Sequence, residues 1–239
     1  MTKVVLIGTT DLTRVVAEAL MELAPIELVG CVYAPRTIRA SYVPDGRPNT
    51  RHTDMGRWSG SHGIPSHQYT SIDSLAEFLE STPADLAVVA GWYHMIPRRI
   101  ASCSDSAPSG CMPRCCRSSR GAPLSWAILS GSGATGISLF QLTDGVDEGL
   151  IFGQRSVGIG EDTTVADLIN ATTSLGSDLL RTRLPEIAEG RLVGEPQTGR
   201  PSPLHRERED GRIVAWDAVG YTASSVRAPT LSGRVQHVG

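Results

Sequence analysis

Lysine is nearly missing from this sequence: Lys3 stands alone against 21 arginines among the 22 basic residues. The bias fits GC-rich coding. A basic surplus is missing as well. The net charge of −3 leaves no electrostatic footprint for a nucleic acid, which calls for a positive face. No run of 18 or more apolar residues occurs, so no membrane-spanning helix is expected. The N-terminal MTKVVLIGTT lacks the charged-then-apolar pattern of an export signal and reads directly as a strand, which predicts a cytoplasmic protein. Gly8-Thr9-Thr10 falls short of the G-x-G-x-x-G dinucleotide fingerprint, and its one glycine suits a tight turn.

What remains is ordinary for a soluble globule: 239 residues, 40% apolar and 20% charged. That length holds one full α/β domain plus an incomplete appendage. Lys3 to Thr9 reads as a buried strand, and Thr10 or Asp11 as the cap of a helix facing inward through Val15, Val16, Ala19, Leu20 and Leu23. Pro25 ends it, and Ile26 to Tyr33 is a second strand. The strand-helix-strand unit predicts parallel strands with a right-handed crossover. Residues 36–62 are polar, broken by Pro44, Gly46, Pro48 and Gly60, and read as a long loop carrying Arg36, Arg39, Arg47, Arg51 and Arg57. A loop at the carboxyl end of a parallel strand suits an acceptor substrate bearing phosphate or carboxylate. Such arginines equally suit a solvated loop.

Ile72 to Leu79 predicts a helix capped by Ser71 or Asp73, and Ala84 to Trp92 a buried strand. Farther on, Leu124 to Leu129 reads as a short helix, Thr135 to Leu142 as a strand, and Leu150 to Gln154 as a strand continuing through Val157 to Ile159. Between those strands lies Thr143-Asp144-Gly145-Val146-Asp147-Glu148-Gly149. Three carboxylates on a glycine-flanked turn suit a site, although a solvated acidic turn meets the same spacing. A plain hairpin needs only one or two turn residues with positive φ, for which Asn-Gly or Gly-Gly would do. Gly160 to Thr164 caps a last helix running toward Leu184.

The stretch Gly121 to Gln154, GAPLSWAILSGSGATGISLFQLTDGVDEGLIFGQ, resembles the signature of the folate-dependent formyltransferases, a family that includes methionyl-tRNA formyltransferase and the amino-sugar N-formyltransferases. The resemblance implies a Rossmann-like three-layer α/β/α fold with a mostly parallel sheet. It implies 10-formyltetrahydrofolate as co-substrate, with no metal, and places the catalytic aspartate at Asp147. Gly91 to Pro97 resembles the family segment that holds the pteridine, which makes Trp92, His94, Met95 and Ile96 candidates for the folate wall. Leu142, Thr143, Asp144 and Gly145 would lie along the folate from the acidic loop. Leu184-Pro185, Gly190-Arg191-Leu192 and Pro196-Gln197 also match, as does Glu209 to Trp216, which resembles the link to the family's C-terminal domain. The expected organisation is a catalytic domain over 1–193, a linker over 194–216 and an irregular or truncated tail over 217–239.

One segment breaks the pattern. Ala101 to Arg120 has no apolar periodicity, six serines and four of the five cysteines: Cys103, Cys111, Cys115 and Cys116. C-x3-C-C matches no standard zinc spacing, and disulfides do not suit a chain without an export signal. The family has a helix and a buried strand here, ending in a motif with a catalytic histidine. Reading the last base of each codon with the first two of the next, residues 101–117 can spell Glu-Leu-Phe-Arg-Leu-Gly-Ala-Val-Gly-Leu-His-Ala-Ser-Leu-Leu-Pro, in register with Gly121-Ala122-Pro123. A compensated frameshift over residues 101–120 accounts for this. The histidine would then fall at about Met112, and Gly110 takes the place where many members keep an asparagine.

As written, the segment puts polar residues where a central strand belongs, and each unpaired buried group costs about 1–3 kcal/mol. A poorly folded, inactive chain follows, or a folate-binding remnant. With the frame restored, the expected activity is N-formylation of a small primary amine such as an amino sugar. Methionyl-tRNA, which calls for a basic surface and the missing domain, is the alternative acceptor. Resequencing the coding DNA across residues 101–120 is expected to reveal two compensating slips; an unbroken frame with the written codons would sink a sequencing error as their source.

Overall fold

The computed structural model describes residues 1–40, 43–97, 109–112, 124–129, 132–145 and 147–198. Its first strand, β1 (Thr2–Ile7), is buried from Val4 to Ile7 because both of its faces are covered. It pairs in parallel with β2 (Ile26–Tyr33) on one side and β6 (Leu86–Val89) on the other, and the three-residue β5 (Ser66–Gln68) adds to the far edge of β2. The order is β5-β2-β1-β6. Successive side chains of a strand point to opposite faces, so β1 feeds two cores. Val4 and Leu6 pack with α1 (Asp11–Glu22) and the long C-terminal helix α5 (Val165–Ala188), through Val16, Leu20, Leu179, Leu180 and Leu184. Val5 and Ile7 pack on the other side with α3 (Ile72–Ser81), through Leu75 and Leu79. This is the expected three-layer α/β/α arrangement.

A second, three-stranded sheet is antiparallel. Strand β7 (Ser109–Met112) pairs with β8 (Ala134–Gln141), and β8 with β9 (Ile151–Gly158). Strand β7 runs beside β6, but no ladder joins the two among the described residues. Ile137 and Leu139 of β8 reach the same core as Val4 and Leu6, so α5 covers both sheets. The short helix α4 (Leu124–Leu129) adds Ile128 to a small cluster with Ile159 and Leu168.

The local signals explain most elements. Thr10 is the cap of α1, and its N–H donates to Thr13 Oγ1 at 2.9 Å. The buried face of α1 uses Leu12 and Ala17 beside Val16, Ala19 and Leu20, while Val15 and Leu23 are only half-buried. Ser71 caps α3 by accepting from the Ser74 N–H at 3.1 Å. Thr164 and Asp167 form the capping box that starts α5, which runs through Pro185 to Ala188, beyond the expected Leu184. Cys31 is fully buried in β2, and burial pushes its thiol up to about 11, so it behaves as a small apolar side chain.

Residues 36–62 hold more structure than the loop expected there. A hairpin is formed by β3 (Thr37–Ala40) and β4 (Val43–Pro48), with Gly46 at φ 80° within β4 opposite a register shift in β3, and a helix, α2 (Met55–Ser61), follows with Asp54 as its cap. The hairpin stands apart from the central sheet, so it needs no apolar face and leaves no apolar alternation to read. The expectations for residues 101–108, 113–123, 209–216 and the tail 217–239 lie outside the described residues. No helix among the described residues is long and apolar enough to cross a membrane.

At the carboxyl end of β1 the backbones crowd together. Gly8 donates to the Val32 carbonyl at 2.9 Å, and Thr13 Oγ1 donates to the Ala90 carbonyl at 2.7 Å. A Cβ on Gly8 would stand 1.9 Å from that Ala90 oxygen. Gly8→Ala is therefore expected to cost about 1–3 kcal/mol in urea denaturation, toward the upper end because the clash is with backbone.

Candidate functional site

The parallel strands deliver their exits to one side of the sheet, where an open α/β fold places ligands. Strand β6 ends at Val89, Gly91 turns at φ 67°, and the chain runs irregularly from Trp92 to Pro97. Trp92 is 3% exposed and Ile96 is 6% exposed, and both join the core of Val5 and Ile7. Leu142, at the start of the acidic loop, packs against that same cluster. The structure thus brings the wall segment and the loop together through Trp92, Ile96 and Leu142.

His94 stands on this wall half-buried. Its ring lies 4.7 Å from Tyr69, tilted, and 5.4 Å edge-on from Trp92. Tyr69 also meets Trp92 edge-to-face at 5.1 Å. Burial disfavours the charged imidazole and lowers the His94 pKa from its ordinary 6.5, while burial raises that of the Tyr69 phenol. Met95 differs from its neighbours: it is 58% exposed and joins no core cluster. Trp92 Nε1 is buried with no hydrogen-bond partner among the described residues. An aromatic wall of this kind fits a flat heteroaromatic ligand. Tyr69 was not legible as a wall residue, although an aromatic just past β5 was the available signal.

The acidic loop is shaped by backbone. Asp147 takes φ 53°, a left-handed conformation on a non-glycine residue. The loop glycines Gly145 and Gly149 are not among the residues with positive φ. Gly149 serves another need: a Cβ there would stand 1.8 Å from the Gln141 carbonyl oxygen. Gln197 fixes the strained turn from outside, its Nε2 donating to the Asp147 carbonyl at 2.7 Å and the Gly149 carbonyl at 2.8 Å. A bridge between Ile151 and Glu195 holds that segment against β9. Asp147 is half-buried, whereas Asp144 and Glu148 are exposed. Thr143 Oγ1 donates to the Gly145 carbonyl at 3.4 Å, which closes the front of the loop. Pro196-Gln197 was legible only as part of a resemblance, because a backbone clamp leaves no sequence pattern.

Strand β7 sets the remaining positions by register: Gly110 pairs with Phe140 and Met112 with Ser138. The loop arginines divide. Arg51 is engaged with Asp11 at 2.6 Å, while Arg36, Arg39, Arg47 and Arg57 are exposed. No group of three or more histidine, cysteine, aspartate or glutamate side chains among the described residues could hold a metal ion.

Comparison with known proteins places these features in a family. The formyl transferase family model matches residues 65–184. The methionyl-tRNA formyltransferase of Anaeromyxobacter dehalogenans is 30% identical over 217 residues, covering 82% of this chain and 67% of that protein. Among solved structures, glycinamide ribonucleotide transformylase 1 from Symbiobacterium toebii aligns with a TM-score of 0.66 at 20% identity, over 82% of this chain and 92% of that one. An N-formyltransferase from Helicobacter canadensis, in complex with folinic acid and dTDP-3-aminofucose, aligns at 0.63 and 14% identity, over 83% and 68%. These two likenesses show the fold.

The lowered His94 pKa carries a sign. Protonation favours the unfolded chain, so stability is retained at higher pH and falls as the pH drops through about 6.5. NMR titration is expected to place the His94 midpoint below 6.5, and His94→Gln to lose less stability than the parent between about pH 7 and pH 5.5.

Proposed function

The chain belongs to the formyl transferase family, whose members carry out folate-dependent one-carbon transfer, and from that premise we propose that it moves a formyl group from 10-formyltetrahydrofolate to a small primary amine such as an amino sugar. The observation that carries the reading is the acidic loop: Asp147 held half-buried in a left-handed turn by Gln197, with Leu142 of the same loop packed on the aromatic wall.

The reaction sets three demands. A neutral amine must attack the formyl carbon, an oxyanion must be stabilised, and a proton must pass from the attacking nitrogen to N10 as the C–N10 bond breaks. A carboxylate at Asp147 suits the proton transfer, directly or through a water. The wall of Trp92, His94 and Ile96 takes the pteridine, with Thr143, Asp144 and Gly145 alongside. Met95 joins them as an exposed apolar contact. The position expected to carry the oxyanion donor is Met112, and a thioether donates no proton. With the frame restored, a histidine there would supply the donor, with Gly110 at the asparagine position; its loss costs roughly 10²–10⁴ in rate.

A small acceptor suits the net charge of −3 and the exposed Arg36, Arg39 and Arg47 on the hairpin beyond β2, which match an anionic substituent. Methionyl-tRNA remains the second reading, favoured by the name of the 30% identical relative. Purified protein given 10-formyltetrahydrofolate is expected to release tetrahydrofolate only with an acceptor, tested across nucleotide-linked amino sugars and methionyl-tRNA. Folate binding without turnover would favour the remnant instead. Asp147→Asn keeps a residue that tolerates the left-handed turn, and is expected to slow turnover by roughly 10²–10⁴ while sparing folate affinity. Full activity in that variant would refute the assignment of Asp147.

A further inference from the structure

Asn49 follows the arginine hairpin and is 5% exposed. Its backbone closes the neck of the hairpin, the N–H donating to the Arg36 carbonyl at 2.7 Å. Its side-chain oxygen accepts twice: from the Arg51 N–H at 2.9 Å and from the Tyr93 hydroxyl at 3.1 Å. A backbone N–H can only donate, so the oxygen is correctly placed and the amide nitrogen is the other atom. That nitrogen has no partner among the described residues. Burying an amide N–H without a partner is destabilising. A residue retained only to close a hairpin would avoid that cost.

The chain beyond Asn49 is fastened to the corner between β1 and α1. Thr53 donates to the Thr9 carbonyl at 3.0 Å, Asp11 to the Arg51 carbonyl at 3.2 Å, and the Arg51 guanidinium pairs with Asp11. Thr10 and His52 form a bridge. The hairpin therefore extends from a fixed base, and Asn49 is the joint between them. The other partner of Asn49 is Tyr93, which lies between Trp92 and His94 on the wall segment.

We infer that Asn49 is a positioning residue that couples the two halves of the site. A ligand seated on the Trp92–His94 wall orders Tyr93, and the Tyr93 hydroxyl then sets Asn49 and the direction of the arginine hairpin. The two substrates would thereby bind interdependently without touching. The coupling rests on the formyl-transfer reading for the identity of the wall ligand, and on geometry for the link itself. Its size is bounded by one hydrogen bond, about 1 kcal/mol net, or roughly a five-fold effect.

Hydrogen–deuterium exchange on the full chain tests this with folinic acid as the probe. In the parent protein, folinic acid is expected to slow exchange of the hairpin amides between residues 38 and 47 by about five-fold. In Tyr93→Phe, which removes one oxygen and keeps the ring, folinic acid is expected still to bind by calorimetry while the hairpin no longer responds. Asn49→Asp keeps the accepting oxygen and is expected to restore part of the response that Asn49→Ala loses. An equal response in Tyr93→Phe, or binding to the parent with no hairpin response, overturns the coupling alone. Failure of the parent to bind folinic acid overturns the formyl-transfer reading, and the coupling with it.

Discussion

The structure depends on β1 being dry on both faces. Val4 and Leu6 supply one core and Val5 and Ile7 the other, so a single strand of six residues organises both helical layers. Apolar burial of this kind has no direction of its own, and the pleat provides it. The same strand then delivers Gly8 into a crossing too tight for any side chain, where the ends of β2 and β6 meet it. The wall segment leaves from that crossing, so the site's position follows from the packing of β1.

The acidic loop answers to a different constraint. Its shape is set by carbonyls: Gly149 lets one strand approach the Gln141 oxygen, and Gln197 gathers the Asp147 and Gly149 oxygens. Holding a non-glycine residue in the left-handed region costs on the order of 1–3 kcal/mol. Such strain persists where the surroundings over-determine it, and Gln197 is the group that does so here. The strain falls on the carboxylate to which the family resemblance gives the chemistry.

Most of the parallel half was legible because its signals are local. The apolar run of β1, the threonine at the start of α1 and the Ser71 cap each reveal an element by itself. Trp92, Ile96 and Leu142 were singled out through resemblance, and their meeting in one cluster is a fact of packing. The hairpin over Thr37–Pro48 was not legible, since a strand pair off the sheet leaves no apolar alternation. Tyr69 and Asn49 were missed, and Gln197 stood out only through the resemblance, for a common reason: each acts through a contact more than twenty residues away in sequence, and no window of residues contains it. The positive φ at Asp147 was not legible, because turn preferences describe isolated turns, whereas this one is clamped by Gln197.

Two sheets, one parallel and one antiparallel, lie side by side with β7 next to β6. Helix α5 is what they share, since Leu179, Leu180 and Leu184 close the core reached by Val4 and Leu6 from one sheet and by Ile137 and Leu139 from the other. Cooperativity across the seam is therefore carried by a helix arriving late in the sequence. The parallel half emerges from the ribosome with one face covered only in part, by α1, and the rest stays open until the chain is made as far as Leu184. During synthesis this molecule presents an apolar sheet surface for most of its length, which makes the closing helix the step at which exposure to chaperones ends.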